Sequence, residues 1–342
     1  MRYLITGHTG FKGAWLSVLL QMQGHSVSGI SLEPQRKSIF HRADLSSLFQ
    51  HDYRIDIRDR LKLSEGISNI DPEVVIHLAA QPLVRESYLD PIGTFDTNVI
   101  GTLNVLEATK SLSNLKACLI VTTDKVYKNF GQLKGYTETD QLGGDDPYSA
   151  SKAAADLVTQ SWVRSFAISP VSIARAGNVI GGGDWAADRI IPDLVESFSR
   201  GKNPVIRYPN SVRPWQHVLD CLNGYQMLVD YMLKTGHGGE WNFGPQFESK
   251  HTVSELVQQF GKAWGIDSVT IENPQEPQPQ ESDLLFLDST KAKSILGWED
   301  KLNFEECLRF TADWYKTYEN QGILSVMQNQ IKSFEEKRFT GQ

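Results

Sequence analysis

The feature that most constrains this chain is a rhythm. Over its first 175 residues, short β-rich runs at 2–6, 26–32, 74–79, 117–123 and 171–175 alternate with helical stretches near 12–22, 58–67, 94–112 and 149–166. Apolar strands separated by helices need cover on both faces. The alternation therefore predicts an α/β fold, a doubly wound parallel sheet with helices on each side. Ligands of such sheets bind beyond the carboxyl ends of the strands. After Arg175 the rhythm changes. "GNVIGGGDW" reads as a glycine-rich loop, "RIIPDLVESFSRG" as a helix from about Pro192 to Gly201, and "NPVIRYP" as a short strand. Helices dominate from about residue 246, "ENPQEPQPQES" reads as a loop, and the polar end "KSFEEKRFTGQ" is expected to fray.

The bulk numbers narrow the function classes. A length of 342 residues accommodates two domains, or one large α/β unit with an annex. A net charge of −7 argues against a nucleic-acid partner, although an anionic small ligand needs only a few local cations. Cys118, Cys221 and Cys307 form no CxxC pair, so neither a metal site nor a disulfide framework is expected. No apolar run reaches the roughly 18 residues of a membrane span. "RYLIT" enters a strand directly, without a signal-peptide pattern. These features point to a soluble protein of a reducing, cytoplasmic compartment.

"LITGHTGFKGAWL" sets Gly7, Gly10 and Gly13 at a strand-to-helix junction. Glycines there permit a tight turn and close approach of a pyrophosphate to a helix N-terminus, which makes the domain Rossmann-type. Glu33 follows the second strand where an acid often meets the adenosine ribose, which favours NAD. Arg36 and Lys37 leave a 2′-phosphate, and so NADP, open. Asp56 and Ile57, in "DIRD", are placed to frame an adenine. In "DPYSASKAAADL", Tyr148 and Lys152 stand four apart on one helical face. A lysine beside a tyrosine favours the phenolate and makes a general base.

With these stretches, "HLAAQPLVR", "TTDKVY", "RAGNVIGGGDWAADRIIPD", "VRPWQHVLD", "WNFGP" and "LDSTKAKSILGW" cover nearly the whole chain. Together they resemble the extended short-chain dehydrogenases/reductases acting on nucleotide sugars, and more narrowly the CDP-glucose 4,6-dehydratases. The resemblance implies oxidation at carbon 4, elimination of water across carbons 5 and 6, and return of the hydride to carbon 6, with NAD regenerated. Another nucleotide-sugar dehydratase, or an epimerase or reductase of the same superfamily, is the alternative. By position, Thr123 matches the residue that holds the 4-hydroxyl, Asp124 the acid at carbon 6, and Lys125 the base at carbon 5. A base must shed its proton, and Asp124 beside Lys125 works against that. Desolvation under the sugar, Lys152 and a positive nicotinamide oppose it.

The resemblance also places Thr9, Phe11, Lys12, Ala79, Ala80, Gln81 and Asn98 on the cofactor side, with Asn98 bracing the active-site strand. Gln81, Arg85, Asn178, Arg189 and Arg213 fall to the substrate. Trp215 and His217 read as packing residues, with no partner evident for His217. Residues 1–175, with a return at about 211–245, form the expected NAD domain; 176–210 and about 246–330 form a smaller, mostly helical nucleotide-sugar domain. A homodimer or homotetramer is implied, through helices containing 102–112 and 148–166. Such enzymes feed deoxysugar synthesis for surface polysaccharide, including O-antigen. Two stretches depart from the family's commonest form: "KNFGQLKG", and Gln280-Glu281-Ser282 where many members read His-Glu-Ala.

Overall fold

The computed structural model describes residues 1–132, 134–245, 251–274 and 285–339; Gln280, Glu281 and Ser282 lie outside them. Seven parallel strands form the central sheet: β1 (Arg2–Thr6), β2 (Ser26–Ser31), β3 (Asp52–Arg54), β4 (Val74–His77), β5 (Ala117–Val121), β6 (Val171–Ala176) and β7 (Gly239–Phe243). Their order is β3-β2-β1-β4-β5-β6-β7. Side chains alternate between two cores, because successive residues of a strand point to opposite faces. Tyr3, Ile5, Leu119 and Val121 enter one core, while Leu4, Cys118 and Ile120 enter the other.

Helix α1 (Phe11–Met22) covers the first face, where Trp15 is fully buried and donates its indole N–H to Gly182 O at 2.9 Å. Burying an aromatic side chain of this kind contributes about 2–3 kcal/mol. Helices α2 (Arg60–Ile70) and α3 (Gly101–Thr109) cover the second face, through Leu63, Ile67, Val105 and Leu106. Helix α4 (Pro147–Phe166) adds Trp162 to that core. Asp146 caps α4 by accepting from the Ser149 N–H at 2.9 Å, and Pro147 opens it where a missing N–H costs nothing.

The chain then leaves the sheet through α5 (Ile190–Ser199) and returns with α6 (Val218–Thr235) and β7. Helices α7 (Val253–Trp264), α8 (Phe304–Gln321) and α9 (Ile323–Phe339) complete the described residues, and α7 and α8 each start with a capping box. None of the helices is long and apolar enough to cross a membrane among the described residues.

Three sequence expectations change. "NPVIRYP" forms no strand: only a single bridge joins Val205 to Glu272, because Pro204 and Pro209 flank too short a run. The expected fraying end is helical as far as Phe339, since Val326, Met327, Ile331 and Phe334 form a buried stripe. The helix expected at 94–112 starts at Pro91 and contains a wider π turn, Asp96–Ile100.

Candidate active site

The two loops at the switch in strand order, after β1 and after β4, touch. Gly7 leaves β1 at a φ of 76°, and a Cβ there would stand 2.7 Å from Ala79 N. A Cβ on Gly13 would press into the Gly7 carbonyl. Both positions therefore require glycine on steric grounds. Gly10 is exposed and precedes α1 without any side-chain cap, which leaves the helix's first-turn N–H groups available to a ligand anion. Thr9 ties the loop to β2 through Ser31 Oγ at 2.6 Å. Phe11 packs beside Gly181, and Lys12 Nζ donates to Tyr225 OH at 3.3 Å. This cradle fits a dinucleotide pyrophosphate.

Farther along the strand ends, Glu33 is exposed but pairs with Arg54 Nε at 3.4 Å, so it is not a bare acid. Arg36 and Lys37 are exposed. Asp56 holds Arg58 in a fork (2.7 and 3.0 Å to Oδ2), and that hydrogen bonding keeps its carboxyl below the ordinary range. Ile57 is buried against Gly101, and its carbonyl accepts from Asn104 at 3.0 Å.

Ala79 and Ala80 are half-buried. The Gln81 side chain is spent on its own loop, accepting from Leu83 N–H at 2.5 Å and donating to Thr94 Oγ1 at 2.9 Å. Local hydrogen bonding thus takes up the amide that was expected to face a ligand. Asn98, buried in the π turn, accepts from Gln81 N–H at 2.8 Å and donates to Gln81 O and Ser151 Oγ at 3.1 and 2.8 Å. It braces the β4 loop against α4.

Strand β5 stops at Val121, two residues earlier than the sequence pattern implies. Thr123 caps a single 3₁₀ turn, Asp124–Val126, accepting from the Lys125 N–H at 3.4 Å. Its hydroxyl donates to Asp124 Oδ1 at 2.9 Å. Asp124 is buried, and desolvation raises its carboxyl above the ordinary value against the pull of Lys125, Thr123 and Arg213. Gly177 makes room for it, since a Cβ there would sit 3.2 Å from Asp124 Oδ2. Lys125 is half-buried, and its Nζ makes no hydrogen bond or ion pair among the described residues.

On α4, Lys152 is buried and donates to Val121 O at 2.9 Å. Burial and then Lys12 lower it to about 8. Tyr148 departs from expectation. Burial raises it to about 12, outweighing a hydrogen bond with Thr123 and the charge of Arg189. The lysine four residues on does not overcome that desolvation.

The substrate-side residues fall into two groups. Asn178 lies in a short strand paired with Trp215, two residues beyond Arg213, whose charge reaches Asp124. Arg85 binds Asp188 at 2.9 Å, and Arg189 lies 3.8 Å from Asp184 on the same loop. His217 has a partner after all: Nδ1 accepts from Leu219 N–H at 3.2 Å and caps α6.

Sequence reasoning passed over Asp188, Ser151 and the buried pair Arg175–Asp156. Asp156 had a legible signal, standing four residues beyond Lys152 and eight beyond Tyr148 on one helical face.

A glycine cradle at the switch point and a Tyr-x-x-x-Lys helix beside β5 together define an extended short-chain dehydrogenase/reductase. Comparison with known proteins narrows the class. The family model described as GDP-mannose 4,6 dehydratase matches residues 4–311. CDP-glucose 4,6-dehydratase of Salmonella typhimurium is 42% identical over 329 residues, covering 93% of this chain and 91% of the relative. The structure of a dTDP-glucose 4,6-dehydratase from Bacillus anthracis in complex with NAD has a TM-score of 0.79 at 26% identity, covering 93% of this chain and 97% of that one. A UDP-glucose 4-epimerase from Thermotoga maritima has a TM-score of 0.81 at 24% identity, covering 94% and 100%, and shares the fold. The chain belongs to the nucleotide-sugar 4,6-dehydratase family.

Proposed function

We propose that this chain catalyses the NAD-dependent dehydration of CDP-glucose to CDP-4-keto-6-deoxyglucose. The observation that carries this reading is the turn after β5, where Asp124 and Lys125 stand together beside Tyr148. An epimerase needs no acid–base pair for elimination.

Gly7, Thr9, Gly10, Phe11, Lys12 and Gly13 would hold the dinucleotide pyrophosphate. Glu33, Asp56 and Ile57 lie toward its adenosine, and Ala79, Ala80 and Lys152 toward its other end. When bound, NAD would supply the redox chemistry, as acceptor of a hydride from carbon 4 and donor of one to carbon 6. Tyr148 receives the proton of the 4-hydroxyl, which Thr123 orients; burial alone holds its phenol protonated, so the phenolate this needs depends on the positive charges of Lys152 and of the bound cofactor. The ketone so formed acidifies the carbon-5 proton, and Lys125 removes it and gives a proton back to carbon 5 when the hydride reaches carbon 6. Asp124, which burial inclines toward its protonated form, protonates the departing 6-hydroxyl as water. Asn178, Arg189 and Arg213 supply an amide and two guanidinium groups for the substrate pyrophosphate. Arg85 lies at the same loop through Asp188.

The protein works as a homo-oligomer in the cytoplasm, supplying a deoxysugar precursor for surface polysaccharide. Exposed Leu89, Ile92, Phe95, Ile100, Leu157 and Phe166 support a dimer face on residues 84–100 and α4. Residues 102–109 contribute little to it, because most of that helix is buried.

Purified protein incubated with CDP-, dTDP-, GDP- and UDP-glucose tests the reading by mass. The expected result is loss of one water from the CDP-sugar without net NADH. No water loss from any of the four would overturn it.

A further inference from the structure

One buried ion pair grips both ends of the segment that carries Thr123, Asp124 and Lys125. Arg175, on β6, lays its guanidinium across Asp156, on α4: Nε to Oδ2 and Nη2 to Oδ1 are both 2.8 Å. The two side chains are 1% and 0% exposed. The pair does not stop there. Arg175 Nη1 donates to Tyr127 OH at 2.7 Å, two residues after Lys125. Asp156 Oδ2 accepts from Thr122 Oγ1 at 3.3 Å, one residue before Thr123. Tyr127 OH donates in turn to Asn242 Oδ1 at 2.7 Å, and Asn242 is anchored to Tyr136 O and Asp288 O at 2.8 and 3.2 Å. On the other side, Asp156 shares α4 with Tyr148 and Lys152 and lies on their face of it.

A buried ion pair needs further hydrogen bonds for its remaining donors and acceptors, and two of these go to Thr122 and Tyr127, the residues that bracket the catalytic turn. Replacing such pairs by apolar residues is often neutral or stabilising, so stability alone is a weak reason to keep one. A fork of five donors can hold a carboxylate bidentately and still reach a third partner in a fixed plane, a geometry that a lysine's rotating ammonium does not fix. We propose that Arg175 and Asp156 are positioning residues. They hold the Asp124–Lys125 turn in register with Tyr148, so that elimination acts on the sugar that has just been oxidised. This inference rests on the dehydratase reading above.

Arg175→Met would strand a buried carboxylate and lower stability, so it does not separate positioning from folding. The test therefore uses Tyr127→Phe and Thr122→Val, which cut one link each and leave the ion pair in place. In a single turnover with CDP-glucose and NAD, absorbance follows the reduced cofactor and mass follows water loss. Misplacing the turn should slow water loss about tenfold in Tyr127→Phe, while carbon-4 oxidation stays within about twofold. Reduced cofactor then accumulates transiently. Thr122→Val, with the longer bond, should shift in the same direction by less. Arg175→Lys, which keeps the charge and loses the fork, should behave as Tyr127→Phe does.

Both steps slowing together, with a fall in Tm, would mark a purely structural role and overturn the proposal. Unchanged partition, or loss of fold in both single-link variants, would overturn it as well. If the parent protein removes water from no nucleotide sugar, the dehydratase reading itself fails. If the parent turns over and the variants partition as it does, only the positioning role fails.

Discussion

The cofactor loop and the elimination turn sit at the ends of neighbouring parts of one sheet, yet they are held in different ways. The loop from Gly7 to Gly13 is shaped by steric exclusion. Gly7 lies against Ala79 and Gly13 against the Gly7 carbonyl, so backbone packs on backbone with no side chain between. The turn from Asp124 to Val126 is shaped by charge. Its flanks are tied to Arg175 and Asp156, on β6 and α4, and through Tyr127 to Asn242 on β7. A dinucleotide site needs close approach of the backbone to phosphate, which small residues supply locally. An elimination site needs an acid and a base at set places on a sugar ring, which only side chains braced from elsewhere can supply.

The comparison can be broken at its active end first. Lys125→Met should cut water loss by about 10²–10⁴-fold, the usual worth of a general base, while carbon-4 oxidation survives. Reduced cofactor without water loss is the expected signature. Normal turnover would remove Lys125 from the mechanism and leave the turn without a base.

The charge side is next. Asp156→Ala strands the Arg175 guanidinium, and denaturant unfolding should show a loss of about 3–5 kcal/mol. A loss below about 1 kcal/mol would mean that solvent or a rearranged neighbour rescues the arginine. The steric side should cost less. Gly13→Ala overpacks the turn and is expected to cost about 1–3 kcal/mol, with NAD binding weakened in calorimetry. Unaltered NAD affinity would show that the loop does not need its close contact.

The smallest effect concerns pH. His77 lies under the cofactor loop, bound to Thr6 at 2.6 Å and Thr102 at 3.0 Å, and burial lowers it from 6.5 to about 3. Burial does the same to His217. As pH falls through 6.5 the unfolded chain takes up protons that these buried rings refuse. Their contribution is therefore full above about 6.5 and is lost progressively toward 3. At pH 5.5 the loss should be about 1 kcal/mol for each ring, read as a lower Tm than at pH 7.5. A Tm that holds steady between those values would show that both rings can be protonated in place.

What the sequence determined by itself was whatever arises from neighbours along the chain. The strand–helix rhythm, the glycine turn and the Tyr148–Lys152 spacing all depend on periodicity or local backbone freedom, so they could be read directly. The two cores could be read for the same reason, through the alternation of Leu4 with Ile5 and of Cys118 with Leu119. Tertiary structure alone decided how the chemistry is held. It tied the Gln81 amide to its own loop, gave His217 a cap to satisfy, and raised Tyr148 where spacing implied the reverse. Above all, it joined Asp156 to Arg175, 19 residues away, and Arg175 to Tyr127, 48 residues away. Desolvation and ion pairing depend on what surrounds a group in space, and that is set only when distant strands and helices close around it.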